Sequence, residues 1–576
     1  KENFYFEVSG TRSFCSAVDT RPNLGLGEHK TLDSVRVIWP SGKVQTLRHP
    51  ALNQMLVVRQ EDAKADFSFS EFHKANALLR SIDKELLPRF KHEENDYNAF
   101  NKENLMVQML STEGPAMDVA DVNGDGLDDV FVGGGKGQPS ALFLQTKAGK
   151  FNLISEGLFD KNKEAEPVDA IFFDADNDAD QDLVVVFGGQ ESFVDKSLLQ
   201  PRLYINDGAG SFSEKRVSGL ERIFLNASCV KGSDFDLDGD VDLFIGASTM
   251  PLLYGMSPLS FLLVNDGQGN FRPSFGWLGN SKFTNLPFNR PGMVKDAAWA
   301  DINKDGLPDL VLVGEWMPIT ILVQQQDHTF LNRTKEWGLD KSGGMWNTVC
   351  SGDFDGDGDM DFAAGNLGTN SRLKAAKSKP LKMIVGDLDG NGSSDHIIVY
   401  FNGGKSYPFA SRDQLVKQLP YLKKKFLKYR DYRDVKVEDI ISPAIRNQTT
   451  ELTIDELQSA VLLNEGGKFL LQPLPIEAQM SPVEALYCGD LNNDGFLDLL
   501  AAGNLTAVQT ELAPYDAGIG LLLTGDGKGN FRPVQPMSSG FIVKGEARGI
   551  RSVKTLKNGQ FYLVSRNNDS LLGFTK

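Results

Sequence analysis

Basic residues are in short supply in this sequence, and so are the side chains on which most enzyme mechanisms turn. Sixty Lys and Arg against 77 Asp and Glu leave a formal charge of −17 over 576 residues. That balance excludes recognition of a nucleic-acid backbone, which needs clustered cations. No apolar run approaches the roughly 18 residues that would cross a bilayer as a helix. Four cysteines (Cys15, Cys229, Cys350, Cys488) are too few for a disulfide framework in so long a chain. Cys229, Cys350 and Cys488 each precede an Asp-rich stretch and read as small buried residues at equivalent strand positions. The six histidines (His29, His49, His73, His92, His328, His396) have no metal-ligand spacing, and neither H-E-x-x-H nor G-x-S-x-G occurs. No catalytic residue is nominated. The glycine runs at 133–137 and 525–529 lack phosphate-loop and dinucleotide spacings and read as turns. The chain opens at Lys1 without a Met or a signal-peptide pattern, which reads as a processed or truncated piece.

What the sequence has in quantity is aspartate, and it is ordered. The nine-residue pattern Asp-x-Asp/Asn-x-Asp/Asn-x-x-x-Asp occurs seven times, starting at Asp121, Asp174, Asp234, Asp301, Asp353, Asp387 and Asp490. Each copy runs into a short apolar stretch, as at Val130–Val132, Leu183–Phe187 and Leu310–Val313, which reads as a buried strand. Between copies lies a second repeat, an apolar strand followed by a Gly-rich turn and an aromatic: LYINDGAGSF ending at Phe212, LLVNDGQGNF at Phe271 and LLLTGDGKGNF at Phe531, with weaker copies at Phe151, Phe330 and Phe469. Asn-Asp-Gly between strands signals a hairpin, because glycine supplies the positive φ of the turn. Two hairpins per period make a four-stranded antiparallel unit, and a series of such units makes a propeller.

The expected fold is therefore all-β: a seven-bladed β-propeller with Asp-rich calcium loops, preceded by a small β domain. Residues 1–60 form that domain, with strands at Phe4–Val8, Val35–Trp39 and Leu56–Arg59. Residues 61–87 are a linker of partly helical character, and 88–576 are the propeller. Successive loops are usually 52 to 67 residues apart, but 34 separate Asp353 from Asp387 and 103 separate Asp387 from Asp490. An insertion within one blade is inferred, helical near 401–455. The stretch from Gly549 has two apolar strands around Lys557-Asn558-Gly559 but no acidic loop, and is read as a closing blade completed by a strand from before Asp121.

Positions 1, 3, 5, 7 and 9 of each loop are the candidate metal ligands, position 7 through its backbone carbonyl. They are Asp121, Asn123, Asp125, Leu127 and Asp129; Asp174, Asp176, Asp178, Asp180 and Asp182; Asp234, Asp236, Asp238, Asp240 and Asp242; and Asp301, Asn303, Asp305, Leu307 and Asp309. The later copies supply Asp353, Asp355, Asp357, Asp359 and Asp361; Asp387, Asp389, Asn391, Ser393 and Asp395; and Asp490, Asn492, Asp494, Phe496 and Asp498. Oxygen-only ligands on a tight turn suit a hard cation, and several carboxylates in flexible geometry favour Ca²⁺ over Mg²⁺. Position 6 is glycine except at Ala179. An EF-hand is excluded: position 12 needs a bidentate Glu, and here it is Val132, Val185, Ile245, Leu312, Ala364, Ile398 or Ala501. Up to seven Ca²⁺ would offset most of the −17 charge.

These loops, followed by FVGG, VFGG, FIGAS and AAGN, resemble the FG-GAP or VCBS repeats of integrin-α-type propellers over roughly 105–545. LGLGEHKTLDSVRVIWPSGKVQTL, Leu24 to Leu47, resembles the ASPIC/UnbV domain, which usually follows a first set of such repeats. Its place at the start here implies a C-terminal fragment of a longer protein. The resemblance implies an extracellular or cell-surface location, and adhesion or ligand binding without agreed catalytic residues. The expected function is a calcium-binding module for a glycan or protein. The alternative is a carbohydrate-active enzyme, a polysaccharide lyase or hydrolase, using the propeller face. One region breaks the repeat: from Arg412 to Glu438, nine Lys or Arg face four Asp or Glu and are interleaved with aromatics. It reads either as a solvated cap or as a ligand surface, with Tyr421, Lys423, Lys424, Lys425, Lys428 and Tyr429 as its candidate residues and an anionic partner implied.

Overall fold

The computed structural model describes every residue except 1–3, 10, 14–15, 18, 68–76, 155–156, 190, 192–194, 275–289 and 557–558. Cys15 and the turn residues Lys557 and Asn558 thus lie outside the described residues. Two compact units are present, 1–76 and 77–576.

In the first unit the alternating stretch Ser34–Ile38 pairs with Lys43–Arg48 across a turn in which Gly42 takes φ +79°. The expected strands at Phe4–Val8 and Leu56–Arg59 are not formed; both stretches lack a ladder partner, and Tyr5 and Val57 are exposed. Ala65–Asp66 adds to the edge of the hairpin instead, through Lys43 and Val44. The stretch read as a linker therefore contributes a strand here, and Arg80–Ser81 contributes another to the second unit.

The second unit is a succession of four-stranded antiparallel sheets. Six of the seven ring sheets repeat one plan, a first strand, an acidic hairpin, a buried second strand, and a third and fourth strand joined by a tight turn; the seventh lacks the acidic hairpin. Glu166–Phe173, Asp182–Gly188, Arg202–Ile205 and Ser213–Lys215 make the second sheet; the second strand is wholly buried because sheets cover both its faces. The first strands, Met117–Ala120, Glu166–Phe173, Asn226–Ser233, Met293–Ala300, Thr348–Gly352, Val483–Gly489 and Glu546–Thr555, touch one another in order, and the last touches the first. The arrangement is propeller-like. In the last sheet Arg80–Ser81 supplies the outer strand by pairing with Leu572–Thr575, so the start of the second unit is sewn to its end.

The irregular loop spacing has its cause in an eighth sheet. Between the second and third strands of the fifth ring sheet, residues 366–459 form an insertion with its own ladder of Lys405–Pro408, Asp395–Asn402, Leu381–Gly386 and Thr450–Ile454. It is larger than the helical excursion expected near 401–455, and it contains the Asp387 loop. Five short helices, from Arg412–Gln418 to Pro443–Arg446, pack Leu415, Leu419, Leu422, Phe426 and Ile440 onto Ile384, Ile397 and Val399 of this sheet.

The cysteines are not at equivalent positions. Cys229 faces Gly246, Cys350 faces Ala363 and Cys488 faces Leu499, each at a different distance from the following loop. Only Cys229 is fully buried; the other two are half-buried.

Candidate metal centres in the acidic loops

Each acidic loop joins the first and second strands of a sheet, six in the ring and the Asp387 copy in the inserted sheet; the seventh ring sheet has none. Local chemistry folds the loop. The position-1 carboxylate accepts the N–H of position 6 at 2.7 to 3.1 Å in all seven copies. Position 6 must then turn left-handed, with φ between 72° and 98°, and Ala179 adopts this conformation at +72° like the six glycines. Position 4 is left-handed as well, including Leu237 and Lys304 at +59°. The sequence carries no sign of that, since neither residue type favours such a backbone.

Position 9 opens the second strand and is at most 1% exposed in every copy. One of its oxygens accepts the N–H of position 2 at 2.9 to 3.3 Å. In the six ring copies the other accepts an N–H of the third strand at 2.7 to 3.0 Å. For Asp395 that second donor is the Gln418 amide, at 2.5 Å. Burial pushes Asp129 and Asp242 up to about 7, and Asp182, Asp309 and Asp361 up to about 6, against the opposing effect of these hydrogen bonds. Repulsion from the other loop carboxylates adds to the shift, so a bound divalent cation would hold these groups ionised.

The structure brings carboxylate oxygens of Asp174, Asp176 and Asp182 within 4.8 Å of one another, and likewise those of Asp234, Asp236 and Asp242, of Asp353, Asp355 and Asp357, and of Asp387, Asp389 and Asp395. Each set could hold a metal ion. In two of them an oxygen of position 3, Asp176 Oδ1 and Asp236 Oδ1, is shut away from solvent with no hydrogen-bond partner. The three remaining loops carry Asn at position 3. There the amide oxygen of Asn123, Asn303 or Asn492 accepts the N–H of position 5 at 2.8 to 3.0 Å. Position 7 has no common side chain: Leu127 is buried, Phe496 is exposed, and Asp359 pairs with Lys304 of the neighbouring loop. Only its backbone is shared by all copies, as a carbonyl ligand requires.

Sequence reasoning missed how the loops are tied together. The Asn of the Asn-Asp-Gly turn does more than favour the turn. Asn206 Nδ2 reaches the Val122 carbonyl of the preceding loop at 2.8 Å, and Asn265 Nδ2 reaches the Ala175 carbonyl at 2.9 Å. Gln324 to Phe235 and Asn464 to Ile302 repeat the link at 2.6 and 3.0 Å. Recurrence of an amide at the end of the third strand, at Gln145, Asn206, Asn265, Gln324 and Asn464, was the available signal.

The six candidate residues of the ligand surface are all exposed. Phe426 is buried, whereas Lys423, Lys424, Lys425 and Lys428 are all exposed. Tyr421 is half in solvent and donates its hydroxyl to the Ile440 carbonyl at 3.0 Å. Tyr429 is 70% exposed, held by the Arg412 guanidinium 5.2 Å above its ring and by a 2.6 Å bond to Asp413.

Three stretches match the FG-GAP-like repeat, at residues 121–185, 234–312 and 301–364. The chain carries FG-GAP-like repeats. Residues 1–65 match the ASPIC and UnbV family. A search of curated proteins found no match. Among solved structures, the chain is similar to an Agrocybe aegerita lectin described as recognising non-reducing terminal N-acetylglucosamine, at 14% identity over 76% of this chain and 82% of that one, TM-score 0.38. It is also similar to the V. cholerae biofilm matrix protein Bap1, at 9% identity over 86% and 91%, TM-score 0.33. No helix among the described residues is long and apolar enough to cross a membrane.

Proposed function

We propose that the FG-GAP-like repeats form a seven-bladed, calcium-loaded propeller acting outside the cell or on its surface as a binding module for a glycan or protein, without catalysis. The observation that carries the reading is the set of convergent carboxylates with solvent-shielded, unpartnered oxygens at Asp176 and Asp236. A buried carboxylate oxygen without a donor is costly, and a hard cation satisfies several at once. Calcium would be held by positions 1, 3, 5 and 9 with the position-7 carbonyl, and would supply cross-links between the ends of each loop.

The ligand surface we favour is the basic side of the insertion, Lys423, Lys424, Lys425 and Lys428 with Tyr421 and Tyr429. Loops and insertions on a rigid scaffold are where binding residues concentrate, and an anionic partner would be drawn here and repelled elsewhere. The test compares the parent with a variant carrying Ser at the four lysines, on immobilised acidic and neutral polysaccharides at low and high salt. Retention of an acidic glycan by the parent alone, weakening with salt, is the expected result. Because these lysines are exposed, thermal stability should shift by no more than about 0.5 kcal/mol. Cleavage of any of the glycans would favour the enzyme reading, and equal retention by both proteins would move the ligand site elsewhere.

A further inference from the structure

Three cysteines lie among the described residues, all as free thiols, and two of them meet. Cys350 sits in the first strand of the fifth ring sheet and Cys488 in the first strand of the sixth, and these strands pack side by side. Side chains alternate along a strand, so the neighbour that each residue faces is set by its position. Val349 is buried with Val311 of the fourth sheet, and the Tyr487 ring lies 5.1 Å from that of Tyr562 in the seventh. One residue on, Cys350 and Cys488 turn the other way, toward each other, into the apolar layer between the fifth and sixth sheets that holds Ala363, Leu499 and Ala501. The Cys488 thiol donates to the Ser351 carbonyl at 3.1 Å, which places its sulfur against the neighbouring strand, and the two thiols hydrogen-bond to one another.

Their surroundings differ from those of the third cysteine. Both are half-buried, within reach of a small reagent. Cys229 is 2% exposed and packed against Gly246, where an added Cβ would sit 2.7 Å from its sulfur, and burial pushes its thiol up to about 12. In the pair, the hydrogen bond from Cys350 holds Cys488 below the usual thiol range. The same contact, followed by burial, pushes Cys350 well above it. Cys488 is therefore the thiol that ionises first, and the thiolate is the nucleophile in disulfide exchange.

We propose that Cys350 and Cys488 are a redox-active pair that closes to a disulfide clasping the fifth ring sheet to the sixth, with a low-molecular-weight disulfide as oxidant. The Cys488 thiolate attacks one sulfur of the small disulfide, expels a thiolate and forms a mixed disulfide. Cys350 then gives up its proton to water and attacks the Cys488 sulfur, expelling the second thiolate. The two protein thiols are oxidised by two electrons, the small disulfide is reduced to two thiols, and those thiols take up the two protons released. Between the two cysteines lies the insertion at 366–459, which parts the second and third strands of the fifth sheet. The new bond encloses that insertion in a covalent loop and braces the ring sheet that it interrupts; closing a long loop stabilises by restricting the unfolded chain. The pair depends on neither the acidic loops nor the lysine surface.

The test exposes the full chain, reduced and folded, to oxidised glutathione, labels the remaining thiols with N-ethylmaleimide in denaturant, and maps unreduced peptides by mass spectrometry. A peptide pair joined through Cys350 and Cys488, with Cys229 labelled, is the expected product, and reductant should restore both labels. Cys350→Ser should halt at the mixed disulfide, with glutathione on Cys488. Finding Cys350 and Cys488 both labelled, each carrying its own glutathione, or joined instead to Cys15 overturns the pair. The parent alone gives this result, so it stands even where a variant folds poorly. Oxidation should raise the parent's thermal midpoint by several degrees and should not raise that of Cys350→Ser; an unchanged or lower midpoint in the oxidised parent overturns the clasp.

Discussion

Two kinds of acidic loop coexist in this chain, and the difference that bears on metal binding is at position 3. In the loops at Asp301 and Asp490, position 3 is Asn, and its amide donates to the position-5 carboxylate at 2.9 and 2.8 Å. In the loops at Asp174 and Asp234, position 3 is Asp, and one oxygen of Asp176 and of Asp236 is shielded and unpartnered. Burial, followed by repulsion from the neighbouring carboxylates, pushes both groups upward. The Asn loops supply internally a donor that the Asp loops lack. The same backbone is therefore closed by its own hydrogen bonds in one case and left open to an external cation in the other.

The broadest way to break this comparison is to remove calcium. At a hundredfold excess over Kd each occupied site contributes roughly 2.7 kcal/mol, so chelation should lower the thermal midpoint more than any single substitution. Hydrogen exchange in chelator would resolve the classes. Protection should fall most at 174–182 and 234–242 and least at 301–309 and 490–498. Uniform loss across all loops would mean that position 3 does not set metal dependence. An unchanged midpoint in chelator would remove calcium from the account altogether.

Position 9 sharpens the comparison from the other side, because it is structural in both classes. Asp242→Ala orphans the buried N–H groups of Phe235 and Asn265, which it accepts at 3.3 and 2.8 Å. At about 1–3 kcal/mol for each unsatisfied group, the variant should lose several kcal/mol in chelator as well as in calcium. Asp309→Ala in an Asn loop should lose as much. A loss seen only in calcium would make position 9 purely a ligand. Chemical denaturation under both conditions measures the difference.

Much of this was legible in the sequence because the chemistry is local. Asp at positions 1 and 9 is needed by any copy that folds, while position 6 needs only a left-handed backbone, which glycine supplies most easily and Ala179 also adopts at +72°. What was illegible depends on partners far away in the chain. The Asp387 loop looks like the other six, yet Leu381–Gly386 pairs with Thr450–Ile454 and so builds a separate sheet. That a strand from before Asp121 closes the last sheet was legible, but its location was not: Arg80–Ser81 has no strand pattern of its own and is fixed by the open edge of Leu572–Thr575. The Asn206 and Asn265 amides likewise look like turn residues until the neighbouring sheet places a carbonyl within reach.

The smallest expected effect is also the most direct test of the difference at position 3. Asp236→Asn gives the loop at Asp234 an amide that can donate to Asp238, as Asn303 donates to Asp305. In chelator this should stabilise the protein by about 0.5–1.5 kcal/mol, the net value of one hydrogen bond, while relieving a repulsion. In calcium it should weaken binding at that loop, because a neutral oxygen replaces a charged ligand. Asn303→Asp should do the reverse, melting lower in chelator and gaining more from calcium. Calorimetry of the two variants with and without calcium gives four shifts, and the comparison requires opposite signs within each condition. If both substitutions destabilise in chelator, the amide at position 3 is not what closes the Asn loops, and the distinction between the two classes falls.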